Sequence, residues 1–301
     1  MKKISLFVLC FLAFFLFAYA EETAGLITDL KGTVSIIRGT EKIKAEVGSE
    51  VLNNDKIKCE KESSADILMT NGDYLTVKEN EEKTITLKIE PTRAKENKES
   101  SEFFSSDTRN TILANPVSLR EGEEISSISP RSTTISKRPH FFWTVDPKAV
   151  SAAEFTVILT DSNGKELFKN EVKGFEFEFP KELPDLIPDK IYTWIVMTKD
   201  EEFASEETYF KILPEEKINE FSRVYGDLRK KYITSENTLN ISYGSYLIEQ
   251  KMYSDAFYYF NQLVKKTPES KYVHQMLAIT HLKQKLFLPY NQEILILSKI
   301  K

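Results

Sequence analysis

Histidine and cysteine are scarce in this 301-residue chain, three of the first and two of the second, and whole classes of chemistry go with them. His274 and His281 lie two turns apart on one predicted helix face, with no Glu or Cys set at ligand spacing. They read, with His140, as packing or surface residues and no metal is expected. Cys10 falls in an apolar leader, so its loss leaves Cys59 alone and excludes an intramolecular disulfide. Cys59 itself sits at an alternate position of a predicted strand and reads as a small buried apolar residue. The chain also lacks a Gly-x-Ser-x-Gly elbow, a phosphate loop and a dinucleotide glycine motif. Its paired carboxylates, Glu201-Glu202, Glu206-Glu207 and Glu215-Glu216, sit in solvated turns where nothing would raise one pKa. The expectation is a non-enzymatic protein without a cofactor.

Long apolar runs are also missing after the first. Met1-Lys-Lys, the run Ile4 to Phe17 and the small residues Ala18 and Ala20 before Glu21-Glu22 form a secretory signal peptide, residues 1–20. The product is expected to be exported and periplasmic or envelope-associated, and to touch a membrane only if that segment stays uncleaved. Removing Lys2 and Lys3 leaves 39 of the 41 Lys and Arg against 46 Asp and Glu, a formal −7. The two signs are interspersed, so there is no basic stripe and nucleic acid is not an expected partner.

What the chain does have, from Gly25 to Leu87, is strand after short strand closed by Gly, Asn or Asp. Asn71-Gly72 stands between two of them like a type I′ turn, which needs positive φ at both residues. The order Gly32-x-Val34, Arg38-Gly39, Ala45, Val47-Gly48, Asp55-x-Ile57, Ser64-Ala65-x-Ile67 and Asn71-Gly72-x-x-Leu75 resembles the FecR-type domain of bacterial envelope proteins. Two positions depart from that pattern: Asn54 stands where the family has Gly, and Cys59 where it has Thr. Asn is the next best residue at left-handed φ, so the first departure is mild. The resemblance implies an all-β domain over residues 21–90. Only three residues precede the apolar run, which leaves the anti-sigma segment of FecR-type regulators nowhere to sit.

Residues 91–137 are rich in Lys, Glu, Ser, Asn and Thr and read as a polar linker. Within it Ile112-Leu-Ala-Asn-Pro-Val-Ser-Leu reads as an island able to add one strand. From Pro139 alternation returns: Phe155, Val157 and Leu159, a turn at Asp161-Ser-Asn-Gly164, then Phe175, Phe177 and Phe179, then Ile191 to Thr198. Six or so short strands with two tryptophans predict a β-sandwich over residues 138–214. The order Pro139, Trp143, Phe155-x-Val157-x-Leu159, Leu186, Tyr192-x-Trp194-x-Val196 and Phe210 resembles a fibronectin type III or immunoglobulin-like module. Trp143, Tyr192 and Trp194 have apolar neighbours, which favours core packing over a sugar-stacking platform.

After Pro214 the period changes to that of helices, Glu215 to Tyr232, Asn237 to Gln250, Ser254 to Lys266 with Ser254 as its cap, and Glu269 to about Lys285. Gly244, Leu247, Tyr253, Ala256, Phe260 and Pro268 fall at the spacing of a tetratricopeptide repeat, which this region, residues 215–301, resembles. In a second register Leu277-Ala278 and Phe287 fit, but Tyr290 stands where Ala is wanted. One good unit and one poor one do not bury their own apolar faces. The apolar end of the chain must therefore pack on the sandwich, on a second copy or on another protein.

The fold class expected is multidomain: an all-β FecR-like domain, a β-sandwich and a helical tetratricopeptide-like region. The function expected is a protein–protein scaffold of the envelope, docking envelope proteins through Leu247, Tyr253, Tyr258, Ile294 and Leu297 of the C-terminal helices. A second copy of the chain and cell-wall glycan are the other partners considered. The alternatives are a peptidoglycan binder working through exposed aromatics of the β domains and a FecR-like signal-relay component.

Overall fold

The computed structural model describes residues 23–87, 106–113, 124–233 and 235–300. The segment expected to be a signal peptide, Cys10 within it, and most of residues 88–123 lie outside these. Near the N-terminus stand eight strands: β1 (Thr23–Lys31), β2 (Val34–Arg38), β3 (Glu41–Lys44), β4 (Glu50–Leu52), β5 (Lys56–Cys59), β6 (Ser64–Met69), β7 (Tyr74–Val77) and β8 (Glu82–Thr84). They form two four-stranded sheets, ordered β4-β1-β6-β7 and β3-β2-β5-β8. Between the sheets lie Ile27, Val34, Ile36, Val51, Ile57, Cys59, Ile67 and Val77. Period-two alternation sends Leu26 and Leu68 to the opposite face of their sheet, and that face is buried too, in a second core.

Turn chemistry follows the glycines with one correction. Asn54 takes φ +74°, the left-handed conformation expected of it. The Asn71-Gly72 hairpin is not a type I′ turn, because Gly72 has positive φ (82°) and Asn71 does not. Gly72 N–H donates to Met69 O and Met69 N–H to Asp73 O, a three-residue loop with glycine in the left-handed place. Asn71 uses its side chain, accepting from Asp73 N–H at 2.9 Å, where an isolated dipeptide rule would have used its φ.

The second unit is a sandwich of a three-stranded sheet on a five-stranded one. Its strands are β9 (Ile125–Ser129), β10 (Ser132–Thr134), β11 (His140–Val145), β12 (Glu154–Asp161), β13 (Glu166–Lys173), β14 (Glu176–Glu178), β15 (Ile191–Thr198) and β16 (Thr208–Ile212). Sheet orders are β14-β11-β9 and β10-β16-β15-β12-β13. Trp143, Tyr192 and Trp194 are buried between them with Phe141, Phe155 and Phe210. They are therefore core residues and cannot present a platform. Residues 125–134, assigned by composition to the linker, belong to this unit. β9 pairs antiparallel with β11, the chain crosses at Pro130, and β10 pairs parallel with β16 in the other sheet. Two of the serines that disguise these strands are buried and bonded, Ser127 Oγ to Ser205 Oγ at 3.0 Å and Ser129 Oγ to Ser254 Oγ at 2.9 Å.

Six helices complete the described chain: α1 (Ser106–Leu113), α2 (Glu215–Lys231), α3 (Glu236–Glu249), α4 (Tyr253–Lys266), α5 (Lys271–Lys283) and α6 (Phe287–Leu297). Ile112 and Leu113, the start of the island expected to add a strand, thus end a helix; its remainder lies outside the described residues. Arg109 of α1 reaches α5, donating to Gln275 Oε1 at 2.7 Å and lying 4.7 Å over the Tyr272 ring. Ser235 and Ser270 cap α3 and α5 through their side chains. Ser254 is not the cap of α4, which starts one residue earlier behind Met252. The reason is the preceding turn: Lys251 at φ +61° brings Met252 N–H back to Leu247 O, a Schellman closure that fixes where α4 begins.

These helices join the two β units. One continuous apolar core takes Leu26 and Leu68 from the first, Ile128 and Phe142 from the second, and Leu239, Leu247, Phe257, Phe260, Met276 and Ile279 from the helices. Polar links run alongside. A bulge in β1 between Ile27 and Asp29 frees Thr28, whose hydroxyl meets Thr238 Oγ1 at 2.6 Å. Ser270 Oγ donates to Val47 O at 2.6 Å, and Gln292 Nε2 to Val145 O at 2.9 Å. The apolar face that a short helical array leaves open is thus covered largely from within the chain.

Candidate functional site

The five residues expected to dock a partner end up in three environments. Leu247 is fully buried in the shared core, so it positions helices and is withdrawn as a docking residue. Its neighbour Gly244 explains the packing: a Cβ there would stand 2.9 Å from the Phe260 ring, so α3 meets α4 at a distance only glycine permits. Tyr253 is half-buried against the same core. Tyr258 is 37% exposed on α4, while Ile294 and Leu297 are half-buried on α6.

Around Ile294 and Leu297 the last helix is turned the unusual way. Gln292 and Glu293 point at the protein: Gln292 accepts from Thr144 Oγ1 and donates to Val145 O, and Glu293 lies 2.6 Å from His274 Nδ1. His274 also contacts Pro268 O through Nε2; burial works against its charge, but Glu293 and that carbonyl prevail and its pKa is raised. Leu295 and Ile296, by contrast, are 56% and 37% exposed. Of the whole helix only Pro289 and Tyr290 are buried. A helix apolar on several sides is ordinarily an interior one.

A second feature went unnoticed in the sequence. Between the sandwich and α4 opens a cleft of about 520 Å³, lined among others by Ser129, Ser136, His140, Glu178, Lys181 and Tyr258. Its floor is Asp255, whose Oδ1 accepts from Thr134 Oγ1 at 2.6 Å and Oδ2 from Ile135 N–H at 3.3 Å. Burial raises this carboxyl to about 7, against the lowering effect of those two donors. Arg138 is fully engaged at the wall, donating to Leu183 O, Pro180 O and Asp185 Oδ1 with its guanidinium over Phe179. His140 stacks on Phe142 at 4.5 Å and stands 6.0 Å from the Tyr258 ring. Burial lowers its pKa, partly offset by Glu176 and Glu178, so the imidazole is neutral at neutral pH. Ser129 and Ser254 bond to each other and to backbone, which ties β9 to the start of α4. Only Ser254-Asp255 at a helix start hinted at this site, and the usual meaning of that pair is a cap.

Among the described residues no helix is long and apolar enough to cross a membrane, and no group of three or more His, Cys, Asp or Glu is placed to hold a metal ion. No protein-family model matches the chain, and no curated protein does. Among solved structures it is similar to the beta-glucuronidase of Parabacteroides merdae, crystallised with glycerol in its active site, at 13% identity over 63% of this chain. The match spans 25% of that enzyme's length with a TM-score of 0.22, too slight to bear on fold or function.

Proposed function

We propose that this chain is a non-enzymatic, exported envelope scaffold, a FecR-type β domain and a sandwich clamped by tetratricopeptide-like helices, which docks another envelope protein through the outer side of α6. The observation that carries the reading is the orientation of α6, with Gln292 and Glu293 spent on the chain itself and Leu295 and Ile296 left to water. The repeat reading has support of its own. Lys251 and Lys285, 34 residues apart, close α3–α4 and α5–α6 with the same left-handed turn, Met252 N–H to Leu247 O and Leu286 N–H to His281 O. In such a stack the outer side of the last helix is where the following helix lies. The occupant proposed is therefore an amphipathic helix of a second protein. Tyr290, which replaces the expected Ala, does a different job here: its hydroxyl donates to Leu113 O at 3.2 Å and secures α1.

Cutting the chain at Pro214 does not test this, because it would strip the cover from Leu26, Leu68 and Phe142. The test is crosslinked capture from isolated envelopes with the full chain beside the Leu295→Asp, Ile296→Asp double variant. Partners lost in the variant, with an unchanged melting temperature, support the reading. An identical captured set contradicts it, and dimers of the chain alone would make the occupant a second copy.

A further inference from the structure

We infer that the cleft between the sandwich and α4 is a binding site for a short neutral saccharide, seated on the Tyr258 ring. The cleft is independent of the α6 surface and shares no residue with it. Its volume, about 520 Å³, lies within the ~300–1,000 Å³ of small-molecule sites. Its lining narrows the ligand by elimination. An anion has little to pair with, because Arg138 is already committed to two carbonyls and Asp185, and Glu178 and Asp255 line the same cleft as Lys181. A cation finds Asp255 with both oxygens already accepting from Thr134 and Ile135. An apolar ligand would desolvate the Glu178 carboxylate and the Lys181 ammonium that line the cleft.

What remains is a ligand with an apolar face and many hydroxyls. Tyr258 supplies an exposed ring against which the C–H face of a pyranose packs. The exposed Glu178 carboxylate accepts from ligand hydroxyls, the Lys181 ammonium donates to them, and the neutral His140 ring does either. The walls come from the sandwich and α4, which pack together through Phe142 against Phe257 in one apolar core, so the site is formed before the ligand arrives.

The test is calorimetry and saturation-transfer NMR of the full mature chain with three probes, the trisaccharides of N-acetylglucosamine, β-1,4-glucose and α-1,4-glucose. At least one is expected to bind, to be weakened about tenfold by Tyr258→Ala, and to be retained by Tyr258→Phe and by the Leu295→Asp, Ile296→Asp variant. Glu178→Gln serves as a second variant at the cleft, also expected to weaken binding. No binding of any of the three at about 10 mM overturns the inference. So does binding that survives both cleft variants, or an extended peptide that outcompetes all three saccharides for the cleft. Tyr258 and Glu178 are both solvent-exposed, so their variants leave the fold intact and a lost signal reports on the cleft.

Discussion

Gly48 shows how one residue holds two units together. It takes φ +91°, and a Cβ built on it would stand 2.1 Å from Tyr272 Cβ of α5. The clash is with the root of a side chain, which has no freedom to swing away. Gly48→Ala is expected to cost at least ~2 kcal/mol, through strain at positive φ plus the lost close approach, read as a lower urea midpoint. Asp255 and His281 give the residue scale a pH signature. Asp255 is held at about 7, above its value near 3.9 in the unfolded chain. The folded state therefore binds the proton more tightly, and this contribution to stability is complete below pH ~4 and lost as pH rises toward 7. His281, buried beside Phe257, is pushed down to about 3 by burial. Its contribution has the opposite sign, present above pH ~6.5 and lost as pH falls. Asp255→Asn should remove the fall between pH ~4 and 7, so that urea melts show stability rising with pH over that range, with the loss from His274, whose pKa is raised, left above pH ~6.5. An unchanged profile would show that Asp255 is not the group titrating.

At the scale of elements, the helical hairpins invite a specific change. Lys251 and Lys285 occupy left-handed positions that favour glycine. Lys285→Gly is expected to raise stability by roughly 0.5–1 kcal/mol, measured by chemical denaturation; a loss would mean that the lysine stem packs usefully. Gly244→Ala should go the other way, since overpacking against Phe260 at ~1–3 kcal/mol outweighs the ~1 kcal/mol gain in helix propensity. Elements with a clean period were legible in the sequence. The N-terminal strands, the Asp161–Gly164 hairpin and α2 to α5 lie within a few residues of their expected places. β9 and β10 were not, because their buried faces carry serines whose partners lie on distant strands and on α4. α6 had no bounds of its own in the sequence, only the Phe287 register and the docking residues Ile294 and Leu297; its Pro289 falls in the first turn, where the missing N–H has no helical partner anyway.

For the whole molecule, the sequence suggests beads on a polar string, and the coordinates give one body with a shared core. Composition carries no record of which faces meet; only the double burial of β1 and β6, Leu26 opposite Ile27 and Leu68 opposite Ile67, marks the contact. A consequence is cooperative unfolding. Tryptophan fluorescence, which reports on the sandwich through Trp143 and Trp194, and far-ultraviolet helix signal should give coincident denaturation curves. Two separate transitions would mean that the helices are only loosely joined to the β units. The candidate sites were legible in part: the C-terminal apolar end stood out, the cleft did not, since its walls lie about 120 residues apart in the chain.

The most direct measurement of the central proposal is site-specific photo-crosslinking in the native envelope, with the crosslinker at Leu295 and, as control, at Tyr209, which is exposed on the sandwich. A discrete adduct with another envelope protein at 295 and none at 209 is the predicted result. No adduct at 295, or the same adducts at both positions, would contradict docking through α6.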